Sequence, residues 1–167
     1  MKLFVPLLSL GLALCSACGP APSYESVDGA AADVLSASPG EQLEAYLSAE
    51  GIEGEQTTAS GLVYVVEEPG GVNTPALHED ITILYKGYLV DGTVFDQTQG
   101  RSPRTFPLSQ LIPAWQEGLQ LIGRGGKIKL LAPPGIAYGS NPPPGTPIRA
   151  NSVLVFDIEL VDFPGAE

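Results

Sequence analysis

The stretch Asp80-Ile81-Thr82-Ile83-Leu84-Tyr85-Lys86-Gly87-Tyr88-Leu89-Val90-Asp91-Gly92-Thr93-Val94-Phe95 decides the fold. Ile81, Ile83, Tyr85 and Leu89 fall on alternate positions, so an extended chain turns all four toward one face. Asp91-Gly92 is a hairpin signal, because a tight turn favours residues that tolerate positive φ. Val94-Phe95 then resumes a second strand. Antiparallel sheet follows.

Working outward, Gly61 to Glu68 (GLVYVVEE) is β-branched and apolar and ends at Pro69-Gly70-Gly71. Lys127 to Ala132 alternates charge with Ile128 and Leu130. Asn151 to Phe163 turns Leu154, Phe156, Ile158 and Leu160 inward, with Asp157 and Glu159 outward. One internal helix begins near Pro113: Ile112, Trp115, Leu119 and Ile122 recur near the helical period, and Gly123 ends it. Upstream, Ser38-Pro39-Gly40-Glu41 reads as a helix start, with Ser38 as N-cap and Glu41 closing a capping box. Leu43, Tyr46 and Leu47 give that helix a narrow apolar stripe, and Gly51 is its stop. At about three turns it is too short for a strong dimer seam, so packing on its own chain is expected. The fold class is α+β: a curved antiparallel β-sheet wrapped around one short α-helix, with an apolar mouth at one end, plus a short N-terminal helix.

The 167 residues include 8 Lys and Arg against 19 Asp and Glu, a net charge of −11. Such a field repels phosphate backbones, so no nucleic-acid partner is expected. At the N-terminus, Lys2 precedes an apolar run from Leu3 to Leu14 that is too short for a permanent membrane span. Both cysteines follow it, in Cys15-Ser16-Ala17-Cys18. A redox or zinc reading of this C-x-x-C lacks strand–helix context and a second ligand pair. Ser16 and Ala17 directly before Cys18 resemble a bacterial lipobox. That resemblance implies cleavage to leave Cys18 as a lipidated N-terminus, and an envelope location. Gly19 after the cysteine favours an outer membrane, facing the periplasm. The alternative is an ordinary secretory signal cut after Ala17. The expected organisation is a signal at 1–17, a lipidated N-terminus and flexible linker at 18–37, a short helix at 38–51 and one domain at 52–165.

The chemistry the chain lacks is informative. His78 is the single histidine; a metal site would need companions at ligand spacing, which it lacks, and a Ser-His-Asp site would have this one imidazole as its base, which makes it a minor reading. Gly123-Arg124-Gly125-Gly126 lacks the lysine of a phosphate loop and reads as a turn. No metal and no cofactor are expected. The surplus is aromatic: Tyr85, Phe95, Phe106, Trp115, Tyr138 and Phe156, each of which taken alone is ordinary core.

Their neighbours carry more. Ser60-Gly61-Leu62, Tyr85-Lys86-Gly87, Asp91-Gly92 followed by Phe95-Asp96, Phe106-Pro107-Leu108, Leu111 through Gly118, Ala137-Tyr138-Gly139 and Leu154 through Asp157 occur in order. Together these motifs resemble the FKBP family of peptidyl-prolyl cis–trans isomerases, the macrolide-binding immunophilins, over roughly Thr58 to Phe163.

The resemblance implies a pocket in which Tyr85, Phe95, Asp96, Tyr138 and Phe156 serve catalysis. Arg101, Phe106, Leu111, Ile112, Trp115 and Ile148 would bind the substrate. Trp115 would form the floor, Arg101 would lie near Asp96, and the Ile112 N–H would bond a carbonyl. Proline-containing polypeptides would be the substrates and macrolides possible inhibitors, with the membrane reached through Cys18. A monomer is expected, because the family's long N-terminal dimerisation arm is not evident. Arg104 stands where many relatives carry an aromatic residue, and Ile148-Arg149-Ala150-Asn151 replaces a common Ile-Pro-Pro-Asn-like stretch. Two other functions fit less of the sequence: a non-catalytic holdase chaperone using the same pocket, and a structural envelope lipoprotein.

Overall fold

In the computed structural model, which describes residues 35–166, the decisive strand is paired along both edges. It is β3 (Asp80–Leu89), in a seven-stranded sheet of order β1-β2-β6-β7-β3-β4, with β5 also on β3. The others are β1 (Gln56–Thr57), β2 (Val63–Glu68), β4 (Val94–Gln97), β5 (Arg104–Pro107), β6 (Lys127–Ala132) and β7 (Leu154–Asp162). Every pairing is antiparallel. The expected leader, the Cys15–Cys18 region and most of the expected tether lie outside the described residues.

The alternation in the sequence becomes two packed faces. Ile81, Ile83, Tyr85 and Leu89 join Leu154, Phe156, Ile158 and Leu160 in the main core. Tyr88, Leu131, Val155 and Val63 form a second cluster, and strand alternation places it on the opposite face. Helix α1 (Pro39–Glu50) covers that second cluster with Tyr46, and with Leu43 and Leu47 partly buried. Its start is a full capping box between Ser38 and Glu41, and its stop is Gly51 at φ 60°. The Tyr46 and Tyr88 hydroxyls lie 3.1 Å apart, and Lys129 Nζ donates to the Tyr88 hydroxyl at 2.9 Å and pairs with Asp157.

Helix α2 (Pro113–Gly118) packs on the main-core face. It is shorter than its apolar period suggested, because a 3-10 turn (Leu119–Leu121) follows and Ile122 is extended. The physical reason is Gly118, a weak helix former that also sits tight on β6. A Cβ there would come within 2.6 Å of Leu130. Ile122 is nevertheless fully buried in the core. Strand β5 carries no alternating signal, being four residues with Arg104 at one end and Pro107 at the other.

Strands β4 and β5 share one edge of β3 in succession. Lys86, Gly87 and Tyr88 pair with β4, and Asp80 to Ile83 pair with β5. The chain between them turns away from β3 beyond Thr98, whose N–H donates to Tyr85 O at 2.9 Å. Tyr85 thus stands where the two partner strands part.

Candidate active site

The parting of β4 and β5 opens a cavity of about 330 Å³. Tyr85 (β3), Phe95 and Asp96 (β4), Phe106 (β5), Trp115 (α2) and Phe156 (β7) contribute from the regular elements. Leu111, Ile112, Tyr138, Pro143, Thr146 and Ile148 contribute from the connecting chain. Ten of the eleven residues expected in a pocket therefore line one cavity. Arg101 does not; it is exposed in the turn after β4 and is absent from the lining. Pro143 and Thr146 were not expected. The run Pro142-Pro143-Pro144 ahead of Ile148 was the signal for them, and Thr146 Oγ1 donates to Pro143 O at 2.8 Å within that loop.

The rings meet edge to face. Trp115 lies 5.1 Å from Tyr85 at 75° and 5.2 Å from Phe156 at 87°. Phe156 lies 5.6 Å from Phe95 at 85°, and Tyr85 lies 6.4 Å from Phe106 at 65°. Such contacts oppose ring edges to ring faces and hold each ring at a fixed tilt. Gly87 makes room for them, since a Cβ there would sit 2.6 Å from the Phe95 ring and 3.1 Å from Phe156. Trp115 Nε1 is buried without a hydrogen-bond partner among the described residues.

Polar groups are few. The Tyr85 hydroxyl donates to Asp96 Oδ2 at 2.5 Å. Burial, and then the Asp96 bond, push the Tyr85 hydroxyl up to about 12, while the Arg104 guanidinium beside it pulls the other way. Burial and the Asp96 charge also raise Tyr138. Both phenols therefore stay protonated at neutral pH and can donate. A larger depression, about 410 Å³, opens elsewhere among Asp80, Thr82, Thr105, Arg124 and Asp162. Phe163 is its one ring, and the Arg124–Asp162 ion pair of 3.4 Å lies within it. Its polar lining makes it the weaker candidate for an apolar ligand.

With no histidine, cysteine or lysine among its lining residues, the ring-walled cavity is suited to gripping and straining a ligand. Fold and site together define an immunophilin-type domain. The chain belongs to the FKBP family: residues 71–161 match FKBP_C, the FKBP-type peptidyl-prolyl cis-trans isomerase. It is 47% identical over 110 residues to the FKBP-type peptidyl-prolyl cis-trans isomerase FkpA of Escherichia coli, covering 65% of this chain and 40% of that protein. Identity is 42% over 116 residues to a probable FkpA of Neisseria meningitidis, covering 69% and 42%. This chain thus spans about two fifths of the length of those relatives. The crystal structure of Escherichia coli FkpA superposes with a TM-score of 0.70 at 38% identity, covering 83% of this chain and 65% of that one. A peptidyl-prolyl cis-trans isomerase from Pseudomonas syringae superposes with a TM-score of 0.65 at 27% identity, covering 79% and 94%. These matches bear out the expected family and the expected antiparallel sheet on a short helix.

Proposed function

We propose that this protein is a peptidyl-prolyl cis–trans isomerase acting on proline-containing polypeptides. The observation that carries the reading is the ring-walled cavity in which Trp115 meets both Tyr85 and Phe156 edge to face. Isomerisation breaks no bond; its barrier of about 18–20 kcal/mol is the resonance lost as the prolyl amide twists. Raising a rate of about 0.01 per second to about 1,000 per second takes roughly 7 kcal/mol. The planar amide is more polar than the twisted one, and water stabilises the planar form. An apolar cavity that displaces water favours the twisted state, which is differential binding of the transition state.

The residues divide the work. Trp115 would be the floor under the prolyl ring, with Phe156, Phe95 and Phe106 as walls. No hydrogen bond among the described residues uses the Ile112 N–H, which supports its role as donor to a substrate carbonyl. Asp96 anchors the Tyr85 hydroxyl and so sets that ring's tilt. Tyr138 offers a second donor. Such a chain needs no nucleophile.

The location we propose is the bacterial cell envelope, with the lipidated Cys18 as anchor and the domain facing the periplasm as a monomer. The Cys15–Cys18 sequence supports the anchor. No helix among the described residues is long and apolar enough to cross a membrane. The apolar stripe of α1 is spent on its own sheet, which supports the monomer. Macrolides are the inhibitor class the cavity would take.

The test is a prolyl-peptide isomerisation assay on the full chain, with and without a macrolide. Acceleration that drops at least tenfold in Phe156→Ala and Asp96→Leu, with the fold retained, is the expected result. Undiminished activity in both variants would defeat the site. Slowed refolding of a proline-limited protein would mark a holdase instead.

A further inference from the structure

Residues 137–153 close one side of the cavity without forming strand or α-helix, and the group that grips their end comes from far away in sequence. Gln42 on α1 is only 2% exposed, an unusual position for an amide unless both its polar atoms are used. Both are. Gln42 Nε2 donates to Ala37 O at 2.8 Å, and Gln42 Oε1 accepts from the Val153 N–H at 3.2 Å.

Val153 ends a tight turn. Arg149 N–H donates to Ser152 Oγ at 3.2 Å, and Ser152 N–H donates to Arg149 O at 3.2 Å. Asn151 holds φ at 63°, a left-handed conformation found in no other non-glycine residue described, and its N–H donates to Gly139 O at 2.8 Å. Two cavity residues hang on this turn. Ile148 begins it, and Tyr138 directly precedes the carbonyl it grips.

We infer that Gln42 is a positioning residue for the cavity: through Val153 it pins the 148–153 turn, and so sets where Ile148 and Tyr138 stand. This rests on the isomerase reading above and adds an element outside residues 71–161, the FKBP_C match. The side chain chosen is itself an argument. Position 42 lies one helical turn before the buried Tyr46, on the same face of the helix. A helix that only covered the sheet would be served there by leucine. A buried glutamine is costly unless its specific bonds are needed.

The experiment compares Gln42→Met, which keeps the volume but loses both bonds, with Leu47→Ala, which loosens the same helix without touching the turn. Isomerisation of a Leu-Pro tetrapeptide is measured alongside its binding by Trp115 fluorescence, and amide exchange is followed across 148–153. Gln42→Met is expected to raise KM about fivefold with kcat within about twofold, the scale of losing the one bond that reaches the turn. The Val153 amide should exchange faster, while Leu47→Ala changes neither. In a double-mutant cycle the Gln42→Met effect should shrink in an Ile148→Ala background, since part of it runs through the Ile148 side chain. Unchanged KM and exchange in Gln42→Met, an equal KM rise in Leu47→Ala, or full additivity with Ile148→Ala would overturn the inference. Were the wild type itself inactive, the isomerase reading would fall, while peptide binding and amide exchange would still judge Gln42.

Discussion

The Tyr85 hydroxyl and the Asp96 carboxylate are joined by a 2.5 Å hydrogen bond across the seam where β4 leaves β3. One partner is a cavity wall and the other its main charge, so this bond couples the shape of the pocket to its polarity. Asp96→Ala should free the Tyr85 ring to rotate and lower kcat/KM by about tenfold, the scale of a lost bond to a charged group. The Tyr85 hydroxyl should then titrate lower than about 12, yet still above its ordinary value, because burial is the larger cause of its shift. Tyrosinate absorbance against pH would show it. A titration unchanged in Asp96→Ala would remove Asp96 from the account.

Gly87→Ala probes the ring packing from the backbone side. The new methyl would lie 2.6 Å from Phe95 and 3.1 Å from Phe156, closer than carbon atoms approach without displacement. Phe95 is the freer ring, because Phe156 is 3% exposed and locked against Trp115. Phe95 should therefore swing outward, at a cost of about 1–3 kcal/mol for overpacking. Denaturant unfolding measures the cost, and peptide KM should rise with it. Normal stability with normal KM would contradict the packing described.

These two relationships show how far the sequence could be read. Ile81, Ile83, Tyr85 and Leu89 announced their strand and its buried face, because alternation is a local signal. The Ser38–Glu41 capping box was equally legible, being four residues long. Most of the cavity was readable from ordered motifs. Arg101 lies outside the cavity lining; its position depends on how the turn after β4 swings, which no period encodes. Pro143 and Thr146 reach the cavity through loop geometry, and the bond from Val153 to Gln42 spans 111 positions. Strand β5 escaped for another reason: its pairing comes from register with Asp80 to Ile83 and not from its own residues.

Unlike Gln42 on the same helix, the Tyr46–Tyr88 contact on the opposite face of the sheet should be independent of catalysis. Tyr46 meets Tyr88 at 3.1 Å beneath α1, on the side of the sheet away from the rings. Tyr46→Phe removes one neutral hydrogen bond and keeps the ring, so about 1 kcal/mol of stability should be lost. Tyr88 retains Lys129 and Asp157 as partners, which limits the penalty. kcat/KM should stay within about twofold of wild type. A large loss of activity at unchanged stability would mean that Tyr46 reaches the cavity by a route other than the Gln42 bond.

Alkaline pH should expose the cost of burying these phenols. Burial first, and the neighbouring carboxylates after it, push Tyr85 and Tyr88 up to about 12, and Tyr46 and Tyr138 also rise. In the unfolded chain each phenol ionises near its ordinary value of about 10. Between those pH values the unfolded chain has released protons that the folded chain still holds, so stability falls as pH rises. Below about pH 10 the contribution is fully present; it is lost progressively as pH climbs toward about 12. Urea midpoints taken between about pH 8 and pH 11.5 should hold steady and then decline, with the decline smaller in Tyr88→Phe. A midpoint that stays level through pH 11.5 would show that these hydroxyls reach solvent freely, and with that the closed packing of both faces would have to be abandoned.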